Sequence, residues 1–464
     1  MLRADAFPTH RIPPVILPFT TGPRPPGAEL TTDTDSGIGS TARIPGSKSL
    51  TNRVLLLAAA ANGVSRLRAP LVSDDTLAFR TALAELGVRM DGGPLEEYWD
   101  VTGTGRGPTG RARVWCADAG TAARFLPPFA ATGHGSFLFD GSEQLRARPQ
   151  APLSDALLGL GTRVEPGPGG GLPLLVRADG LDGGEITVDS RMSSQYLSGL
   201  LMAAPLMRRG LRVRIRRLVS RPYVDMTLAL MRRFGARVTE DGDGGFTVEP
   251  GGYTATDVTV EPDASTASYF FAAATVTGRT VTVPGLGAGS TQGDLRFVDV
   301  LARAGAQVRV GPDATTVTGC GPLRGGFDVD MGDISDTFMT LAAVAPLADA
   351  PITIRGIGHA RLKESDRIAA VAANLRSCGV ATREGPDEIT IHPGPLRPAR
   401  ITCFRDHRIA MAFSVLDLAA PGVVTLDDPR CVTKTFPGFH TELRRLFPSH
   451  ELPLPATEST EEHR

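Results

Sequence analysis

Three lysines are candidates for anion binding or proton transfer, because the chain otherwise uses arginine as its cation. The 464 residues include 49 basic residues, of which only Lys48, Lys363 and Lys434 are lysines. An ammonium group is a compact charge that approaches a phosphate as a point charge and titrates when buried, whereas a guanidinium is planar and always charged. The three lysines therefore mark segments in which the choice of cation matters for chemistry.

Six predicted helix starts carry polar or cationic residues. The segments are Lys48-Ser49, Gly120-Thr121, Ser193-Ser194-Gln195, Asp263-Ala264-Ser265, Asp336-Thr337 and Asp406-His407-Arg408. Ordinary N-capping is a sufficient explanation for Asp263 and Ser265. It does not explain the nearby cations, which are Lys48, Arg53, Arg124 and Arg408. A cation at this end of a helix opposes the macrodipole unless an anion binds between them. We therefore expect a ligand with phosphate or carboxylate groups.

Two carboxylates are candidates for acid–base catalysis, Asp336 and Glu364. Each has a structural alternative, since Asp336 could cap a helix and Glu364 could pair with Arg367 three residues later. A site rich in cations needs a carboxylate to move protons, which favours the functional interpretation. His407 could donate to an oxyanion or be a core histidine.

Composition excludes several classes of protein. The formal net charge is −1, which gives no electrostatic footprint for nucleic acid or an anionic membrane. The longest apolar runs are too short to span a bilayer. The five cysteines form no CxxC pair, which indicates free thiols in a reducing cytoplasm. We find no dinucleotide-binding motif, P-loop or metal-ligand spacing, and we expect neither cofactor nor metal.

The elements that position these residues come in repeated units of about 70 residues. One series consists of a helix of small and apolar residues before a turn, at Gly63, Gly133, Gly210, Gly278, Asp349 and Gly422. A second series consists of a helix that ends at glycine, at Gly87, Gly161, Gly235, Gly305 and Gly379. Glycine after a helix is the usual left-handed C-cap. Six units predict two α/β lobes of three units each, flanked by disordered tails over 1–39, which is rich in proline, and 449–464.

The order of the motifs resembles one family. The matching motifs are Pro45-Gly46-Ser47-Lys48-Ser49, Asn52-Arg53, Ala119-Gly120-Thr121-Ala122, Ser193-Ser194-Gln195, Ser220-Arg221-Pro222-Tyr223, Gly293-Asp294-Leu295-Arg296-Phe297, Lys363-Glu364-Ser365-Asp366-Arg367, Asp406-His407-Arg408 and Lys434-Thr435-Phe436-Pro437. They resemble the EPSP synthases (3-phosphoshikimate 1-carboxyvinyltransferases), of the enolpyruvyltransferase family. The resemblance implies a two-lobed, inside-out α/β barrel of six βαβαββ repeats, three per lobe. The lobes would be 46–262, which binds shikimate phosphate, and 40–45 plus 263–448. A strand near 41–44 would cross to the second lobe.

The resemblance also implies a reaction and a site. The enolpyruvyl group of phosphoenolpyruvate would pass to the 5-hydroxyl of shikimate 3-phosphate by addition–elimination, with release of phosphate. This step belongs to the shikimate pathway, which supplies chorismate and the aromatic amino acids. The catalytic residues would be Asp336 as base, Glu364 as acid, and Lys48. Shikimate 3-phosphate would contact Lys48, Ser49, Arg53, Ser193, Ser194, Gln195, Ser220, Tyr223, Asp336, His359 and Lys363. Phosphoenolpyruvate would contact Lys48, Gly120, Arg148, Gln195, Arg367, Arg408 and Lys434. We expect a monomer whose partners are these small molecules.

Three positions depart from the family pattern and three alternatives stay open. Asp118 and His359 stand where the family commonly has asparagine, and Phe125 stands where it often has proline. One alternative is the enolpyruvyltransferase that acts on UDP-N-acetylglucosamine, which usually carries a reactive cysteine on a loop, but 140–150 has none. The others are an enolpyruvyltransferase of secondary metabolism that uses a related cyclohexene phosphate, and a catalytically silent anion-binding protein on the same scaffold.

Overall fold

A computed structural model describes residues 39–93, 95–242 and 244–448. The tails predicted over 1–39 and 449–464 lie outside the described residues except for Gly39, where the first strand begins. That strand covers Gly39–Thr41, slightly before the position predicted near 41–44. Among the described residues, no helix is both long enough and apolar enough to cross a bilayer.

The described residues form 13 α-helices and 23 strands in an interleaved order, which makes this a mixed α/β protein. The helices are α1 (Lys48–Ala60), α2 (Asp74–Glu85), α3 (Gly120–Ala131), α4 (Glu143–Arg146), α5 (Ala151–Gly159), α6 (Ser194–Ala203), α7 (Arg221–Arg233), α8 (Ala264–Thr277), α9 (Phe297–Arg303), α10 (Phe338–Val344), α11 (Arg367–Ser377), α12 (His407–Ala419) and α13 (Phe439–Leu446). The strands are β1 (Gly39–Thr41), β2 (Ala61–Arg68), β3 (Arg89–Asp91), β4 (Tyr98–Thr104), β5 (Thr109–Trp115), β6 (His134–Asp140), β7 (Arg163–Pro166), β8 (Leu174–Asp179), β9 (Gly184–Ser190), β10 (Leu211–Leu218), β11 (Val238–Glu240), β12 (Phe246–Val248), β13 (Tyr253–Thr254), β14 (Val258–Thr259), β15 (Thr280–Pro284), β16 (Gln307–Val310), β17 (Ala314–Thr318), β18 (Phe327–Asp330), β19 (Ile352–Arg355), β20 (Thr382–Glu384), β21 (Ile389–Ile391), β22 (Ala399–Ile401) and β23 (Val424–Leu426).

Five of the sheets share one plan, in which a strand pairs in parallel with the next and a hairpin completes the sheet. Their orders are β13-β2-β4-β3 with β14 also on β2, β5-β6-β8-β7, β9-β10-β12-β11, β1-β15-β17-β16 and β18-β19-β21-β20. The last sheet, β22-β23, has only the parallel pair within the described residues. A parallel pair needs a crossover connection. In four of the six sheets one helix supplies it: α3 connects β5 to β6, α6 connects β9 to β10, α10 connects β18 to β19, and α12 connects β22 to β23.

The chain passes twice between its two halves. Strand β1 pairs in parallel with β15, although all the strands from β2 to β14 lie between them in the chain. Strands β13 and β14 return to pair with β2 of the first unit. Two separate hydrophobic cores follow this division, one built from residues between 50 and 260, the other from Ala42 and residues between 264 and 447. We call these the N-terminal half and the C-terminal half.

Several helices inside the two cores have mainly apolar sequences on all faces rather than an amphipathic pattern, and such helices are buried on nearly all sides. In α1 every residue from Leu50 to Ala60 is buried, and in α3 every residue is. The glycine series behaves as predicted, since Gly87, Gly161 and Gly235 each have φ near +88°. The last two members, Gly305 and Gly379, have φ of 102° and 90°. In these five places a glycine therefore follows the helix in the left-handed conformation.

Candidate active site

The starts of helices from both halves converge on one small cavity. Thirteen of the 17 predicted site residues line it, and its complete lining is Lys48, Ser49, Arg53, Asp75, Gly120, Thr121, Arg148, Ser194, Gln195, Tyr223, Asp336, Lys363, Glu364, Arg367 and Arg408. Six of these side chains are cationic and three are acidic, so the lining favours an anion. The cavity holds only about 40 Å³ because the charged side chains contact one another.

Asp336 contacts several of the other residues by which the C-terminal half lines the cavity. Its carboxylate accepts hydrogen bonds from Arg367 Nη1 at 3.0 Å and Arg408 Nη2 at 2.8 Å, and Lys363 Nζ lies 3.9 Å away. Burial raises the pKa of this carboxyl, but Arg408, Lys363 and Arg367 outweigh it and hold the pKa well below its usual range. The residue at the N-cap of α10 is Thr337, so Asp336 is not the helix cap that its position suggested.

Glu364 precedes α11 rather than lying on it, since Asp366 is the N-cap of that helix. Its Oε2 accepts from Arg367 Nη2 at 2.7 Å, and Oε1 lies 3.6 Å from Arg148 Nη1 of the other half. Burial raises the pKa of this carboxyl, but Arg367, Arg148 and two lysines lower it by more. The pKa of Glu364 therefore lies well below its usual range. Glu364 is therefore ionised among these cations.

Arg367 is held rigidly by a residue that sequence analysis did not single out as a site residue. Asp406, the N-cap of α12, accepts from Arg367 Nε at 2.8 Å and from Nη2 at 3.2 Å. The same carboxylate accepts from the backbone N–H of Arg408 at 3.1 Å. Both Arg367 and Asp406 are fully buried, so this two-point ion pair fixes the guanidinium in place. The ring of His407, next in the chain, is also fully buried, and burial lowers its pKa well below the usual range.

Asp75 is the main residue that sequence analysis missed. Its carboxylate lies between two of the three lysines, 3.4 Å from Lys48 Nζ and 2.8 Å from Lys434 Nζ. Lys434 reaches it from the C-terminal half and also donates to the main-chain carbonyl of Asp118 at 2.8 Å. In the sequence Asp75 follows Ser73 and Asp74 in the first turn of α2, where acidic residues are common because they suit the macrodipole. Local sequence therefore gave no signal for it.

Two arginines of the N-terminal half are buried with mostly neutral partners. Arg53 donates to Thr227 Oγ1 at 2.7 Å and to the main-chain carbonyls of Ser49 and Tyr223 at 3.0 and 3.1 Å. Burial lowers the pKa of Arg53 to about 10. Arg124 donates to Gln195 Oε1 at 2.7 Å, and burial followed by repulsion from Arg148 lowers its pKa to about 10. Both guanidinium groups would be stabilised by an anionic ligand.

Gly120 allows a close approach at the start of α3. A Cβ at this position would lie 2.6 Å from Nη1 of Arg148, which is closer than atoms can come without a shift. Ser194 and Gln195 open α6 and line the cavity beside it. Ser193 does not line the cavity, because its hydroxyl caps α6 by accepting from the backbone N–H of Gln195 at 3.2 Å.

Ser220 and His359 lie behind the cavity rather than in its lining. Ser220 has the left-handed φ of 53°, and its Oγ lies 3.1 Å from His359 Nε2. The same Nε2 lies 2.8 Å from Ser335 Oγ, and burial followed by repulsion from Lys363 lowers the pKa of His359 to about 4. Both residues line a separate, more open cleft of about 520 Å³. Tyr223 does line the cavity, and its hydroxyl donates to Asp294 at 2.9 Å.

The similarity of this chain to known proteins covers nearly its whole length. The family model for EPSP synthase (3-phosphoshikimate 1-carboxyvinyltransferase) matches residues 33–443. The 3-phosphoshikimate 1-carboxyvinyltransferase of Nostoc punctiforme is 44% identical over 408 residues, which is 87% of this chain and 95% of that one. The enzyme of that name from Thiobacillus denitrificans is 42% identical over 87% of this chain and 96% of its own.

Solved structures share the fold at lower identity. An EPSP synthase from Acinetobacter baumannii superposes with a TM-score of 0.71 at 23% identity, covering 88% of this chain and 96% of that one. The enolpyruvyl transferase NikO from Streptomyces tendae gives 0.70 at 21% identity, covering 88% and 96%. A family model that matches most of a chain, relatives above 40% identity and a shared fold leave one conclusion: this chain belongs to the EPSP synthase (3-phosphoshikimate 1-carboxyvinyltransferase) family.

Proposed function

We propose that this protein transfers the enolpyruvyl group of phosphoenolpyruvate to the 5-hydroxyl of shikimate 3-phosphate and releases phosphate, in the shikimate pathway to the aromatic amino acids. The observation that carries the proposal is the cavity in which six cations and three acids from both halves meet. Both substrates are polyanions, and such a lining suits them. The homologues that carry this enzyme's name align with almost the whole chain.

The cations divide the two substrates between the halves. In this proposal Arg53, Ser49 and the start of α6, which line the cavity, would hold shikimate 3-phosphate on the N-terminal side. Arg367 and Arg408 would hold the carboxylate and phosphate of phosphoenolpyruvate, because a planar guanidinium can donate two hydrogen bonds to either group. Lys48, whose Nζ faces Asp75, would contact both substrates.

The two carboxylates that we propose as acid and base, Asp336 and Glu364, both line the cavity and would move the protons in an addition–elimination. In the addition, the 5-hydroxyl oxygen bonds to the second carbon of phosphoenolpyruvate while Asp336 takes the hydroxyl proton and Glu364 donates a proton to the methylene carbon. In the elimination, a proton leaves the methyl carbon for Glu364 and the bond from the second carbon to the phosphate oxygen breaks, which restores the double bond. The proton held by Asp336 leaves with the phosphate, which returns both carboxyl groups to their starting states. Each step needs a carboxyl within reach of the proton.

Glu364 must be protonated before it can act as an acid, whereas the cations around it hold its pKa low. Phosphate and carboxylate groups of the substrates would neutralise those cations, which include Arg367 and Arg148. The stabilisation of the Glu364 carboxylate would then fall and its pKa would rise. In this scheme, binding of the substrates raises the pKa of Glu364 and so allows it to hold the proton that it donates.

The architecture in this proposal is a two-lobed, inside-out α/β barrel of six βαβαββ repeats, with lobes over 46–262 and 40–45 plus 263–448. Support comes from the two separate cores and from the shared plan of the five larger sheets. The site lies between the lobes, and its volume of about 40 Å³ is far below the roughly 300 Å³ at which ligand pockets usually start. The lobes would therefore have to separate to admit the substrates.

The alternatives differ in substrate. In the UDP-N-acetylglucosamine enzymes the reactive group is a cysteine, whereas Cys116 here is buried and burial raises the pKa of its thiol. An enolpyruvyltransferase of secondary metabolism would keep the same fold, as the likeness to NikO illustrates. The catalytically silent alternative has no specific observation in its favour. The monomeric state and the cytoplasmic location stay predictions.

One assay distinguishes these possibilities. Purified protein is incubated with phosphoenolpyruvate and one acceptor, which is shikimate 3-phosphate, UDP-N-acetylglucosamine, a related cyclohexene phosphate or none, and release of inorganic phosphate is followed. We expect release only with shikimate 3-phosphate, and its loss in Glu364→Gln. Faster release with another acceptor, or none with any, would overturn the proposal.

A further inference from the structure

One residue of the N-terminal half binds two cations of the C-terminal half. The carboxylate of Asp118, in the turn before α3, lies 3.1 Å from Arg405 Nη2. The main-chain carbonyl of the same residue accepts from Lys434 Nζ at 2.8 Å. Asp118 therefore brings a negative charge to the point where the N-terminal half meets Arg405.

The turn before the short helix α4 extends this contact. The hydroxyl of Ser142 donates to the second carboxylate oxygen of Asp118. Gln144, two residues later, crosses to the C-terminal half and donates to the main-chain carbonyl of Glu364 at 2.8 Å and, more weakly, to that of Phe404 at 3.4 Å. We call Asp118, Ser142, Gln144, Phe404 and Arg405 the clasp.

The backbone of the clasp is strained on both sides. Phe404 and Arg405 have φ of 56° and 53°, and Ala117 beside Asp118 has φ of 48°. Among the described residues these are three of only five residues other than glycine with positive φ. Such conformations cost free energy and persist only where surrounding contacts hold them. For Phe404 and Arg405, the contacts across the halves come from Gln144 and Asp118.

The strained pair leads directly into residues that would bind phosphoenolpyruvate. Asp406 follows Arg405, anchors Arg367 through two hydrogen bonds and caps α12. Arg408, in the first turn of α12, donates to Asp336. A change in the backbone at 404–405 would therefore move the anchor of one guanidinium and the start of the helix that carries the other.

We propose that Asp118 and Arg405 are positioning residues: their ion pair closes the clasp and sets the backbone at 404–405, which aims Arg367 and Arg408 at phosphoenolpyruvate. This inference rests on the proposed function for the identity of that substrate. The charge of Arg405 also neutralises that of the Asp118 carboxylate, so this carboxylate does not repel an anionic substrate. Neither residue contacts the substrate in this scheme.

The expected effect is modest, because the side chains of Asp118 and Arg405 are 31% and 62% exposed and water screens the pair. Removing either charge, in Asp118→Asn or Arg405→Gln, should raise KM for phosphoenolpyruvate about 2- to 5-fold. KM for shikimate 3-phosphate should change less than 2-fold. Arg405→Glu should have a larger effect than either, because it places two negative charges together.

A double-mutant cycle tests the coupling between the two residues. If one ion pair is responsible, Asp118→Asn with Arg405→Gln should be no worse than either single variant. The single effects should also shrink in 1 M salt, which screens exposed charges. The matched control is Arg177→Gln, which removes an exposed ion pair with Glu165 at 2.6 Å within the N-terminal half and should change neither KM.

Hydrogen–deuterium exchange of the free protein gives a readout that does not require turnover. Peptides that cover 403–408 should exchange faster in both single variants, by the same factor, and no faster in the double variant. Unchanged exchange there, or single effects that multiply in the double variant, would overturn the clasp. Coupled exchange in a protein that does not turn over these substrates would instead refute the proposed function and leave the clasp standing.

Discussion

At the residue scale, the placement of lysine has a physical consequence. Lys48 and Lys434 hold the Asp75 carboxylate between them, and Lys363 lies 3.9 Å from Asp336. All three side chains are at least four-fifths buried, where the size of the cation matters. A guanidinium is larger than an ammonium group and would need different partners.

We expect Lys48→Arg to lose most of its turnover although the charge is kept. The larger guanidinium would displace Asp75 and would present its donors in a different geometry. Steady-state kcat with both substrates saturating measures the effect. The matched control is the reverse exchange at a surface pair, Arg66→Lys beside Asp100, which should leave kcat unchanged. A kcat for Lys48→Arg close to the wild-type value would remove the argument from lysine rarity.

The two carboxylates should matter for turnover more than for binding. Asp336→Asn and Glu364→Gln should each lower kcat by about 10²- to 10⁴-fold, the usual effect of losing a positioned acid or base. Affinity for shikimate 3-phosphate, measured by calorimetry, should change far less. Asp333→Asn is the control, since that carboxylate lies in the same loop but pairs with Arg296 at the surface. Variants that lost only affinity would assign Asp336 and Glu364 to ligand binding instead.

At the scale of elements, the turn over 293–296 brings a carboxyl group into the interface between the halves. Asp294 accepts from the hydroxyl of Tyr223, on α7, at 2.9 Å and also from Ser265 on α8. Its other oxygen is buried and has no hydrogen-bond partner among the described residues. Burial, followed by repulsion from Asp336, raises the pKa of Asp294 to about 6. This carboxyl therefore costs stability when it ionises.

The loss of stability that ionisation of Asp294 causes depends on pH in a defined way. Between the unfolded pKa of about 4 and the folded pKa of about 6, the folded state holds a proton that the unfolded state has lost, so stability falls as pH rises. Relative to Asp294→Asn, the wild-type free energy of unfolding should drop by on the order of 3 kcal/mol from pH 4 to pH 7. Denaturant unfolding of both proteins at these pH values measures it. A difference that stayed constant with pH would show that Asp294 is ionised throughout.

At the scale of the whole molecule, cations of the N-terminal and C-terminal halves line one cavity of about 40 Å³. The contacts between the halves there include Lys434 with Asp75 and Arg148 with Glu364. Anionic ligands would neutralise the surplus positive charge and favour the closed arrangement, whereas the ligand-free protein would populate a more open one.

Small-angle scattering should therefore give a smaller radius of gyration with shikimate 3-phosphate and a phosphoenolpyruvate mimic together than without ligands. Either ligand alone should reduce the radius of gyration by less, because each would neutralise only part of the surplus positive charge. As a control, sulfate at the same ionic strength separates a general effect of salt from closure by the ligands. An identical radius with and without both ligands would exclude closure.

The sequence alone was sufficient for features that depend on local chemistry and periodicity. Apolar helices that alternate with short strands indicated a mixed α/β protein, and the glycines at 87, 161 and 235 adopt the predicted left-handed conformation because only glycine does so without strain. The helix starts at Lys48 and Gly120 were also correct, and the first is capped locally, because the side chain of Ser47 accepts from the backbone N–H of Leu50. The order of the motifs indicated the family, which the comparisons confirm.

The tertiary structure decided which distant charges meet. Asp75 looked like an ordinary first-turn acid, and only the arrival of Lys434, far along the chain, makes it part of the site. Asp336 looked like a cap, but its carboxylate accepts from Arg367 and Arg408 instead. The pairing of Asp118 with Arg405 likewise depends on how the two halves pack together. Such contacts leave no local pattern, because each partner satisfies ordinary local rules and only packing at long range brings them within a few ångströms.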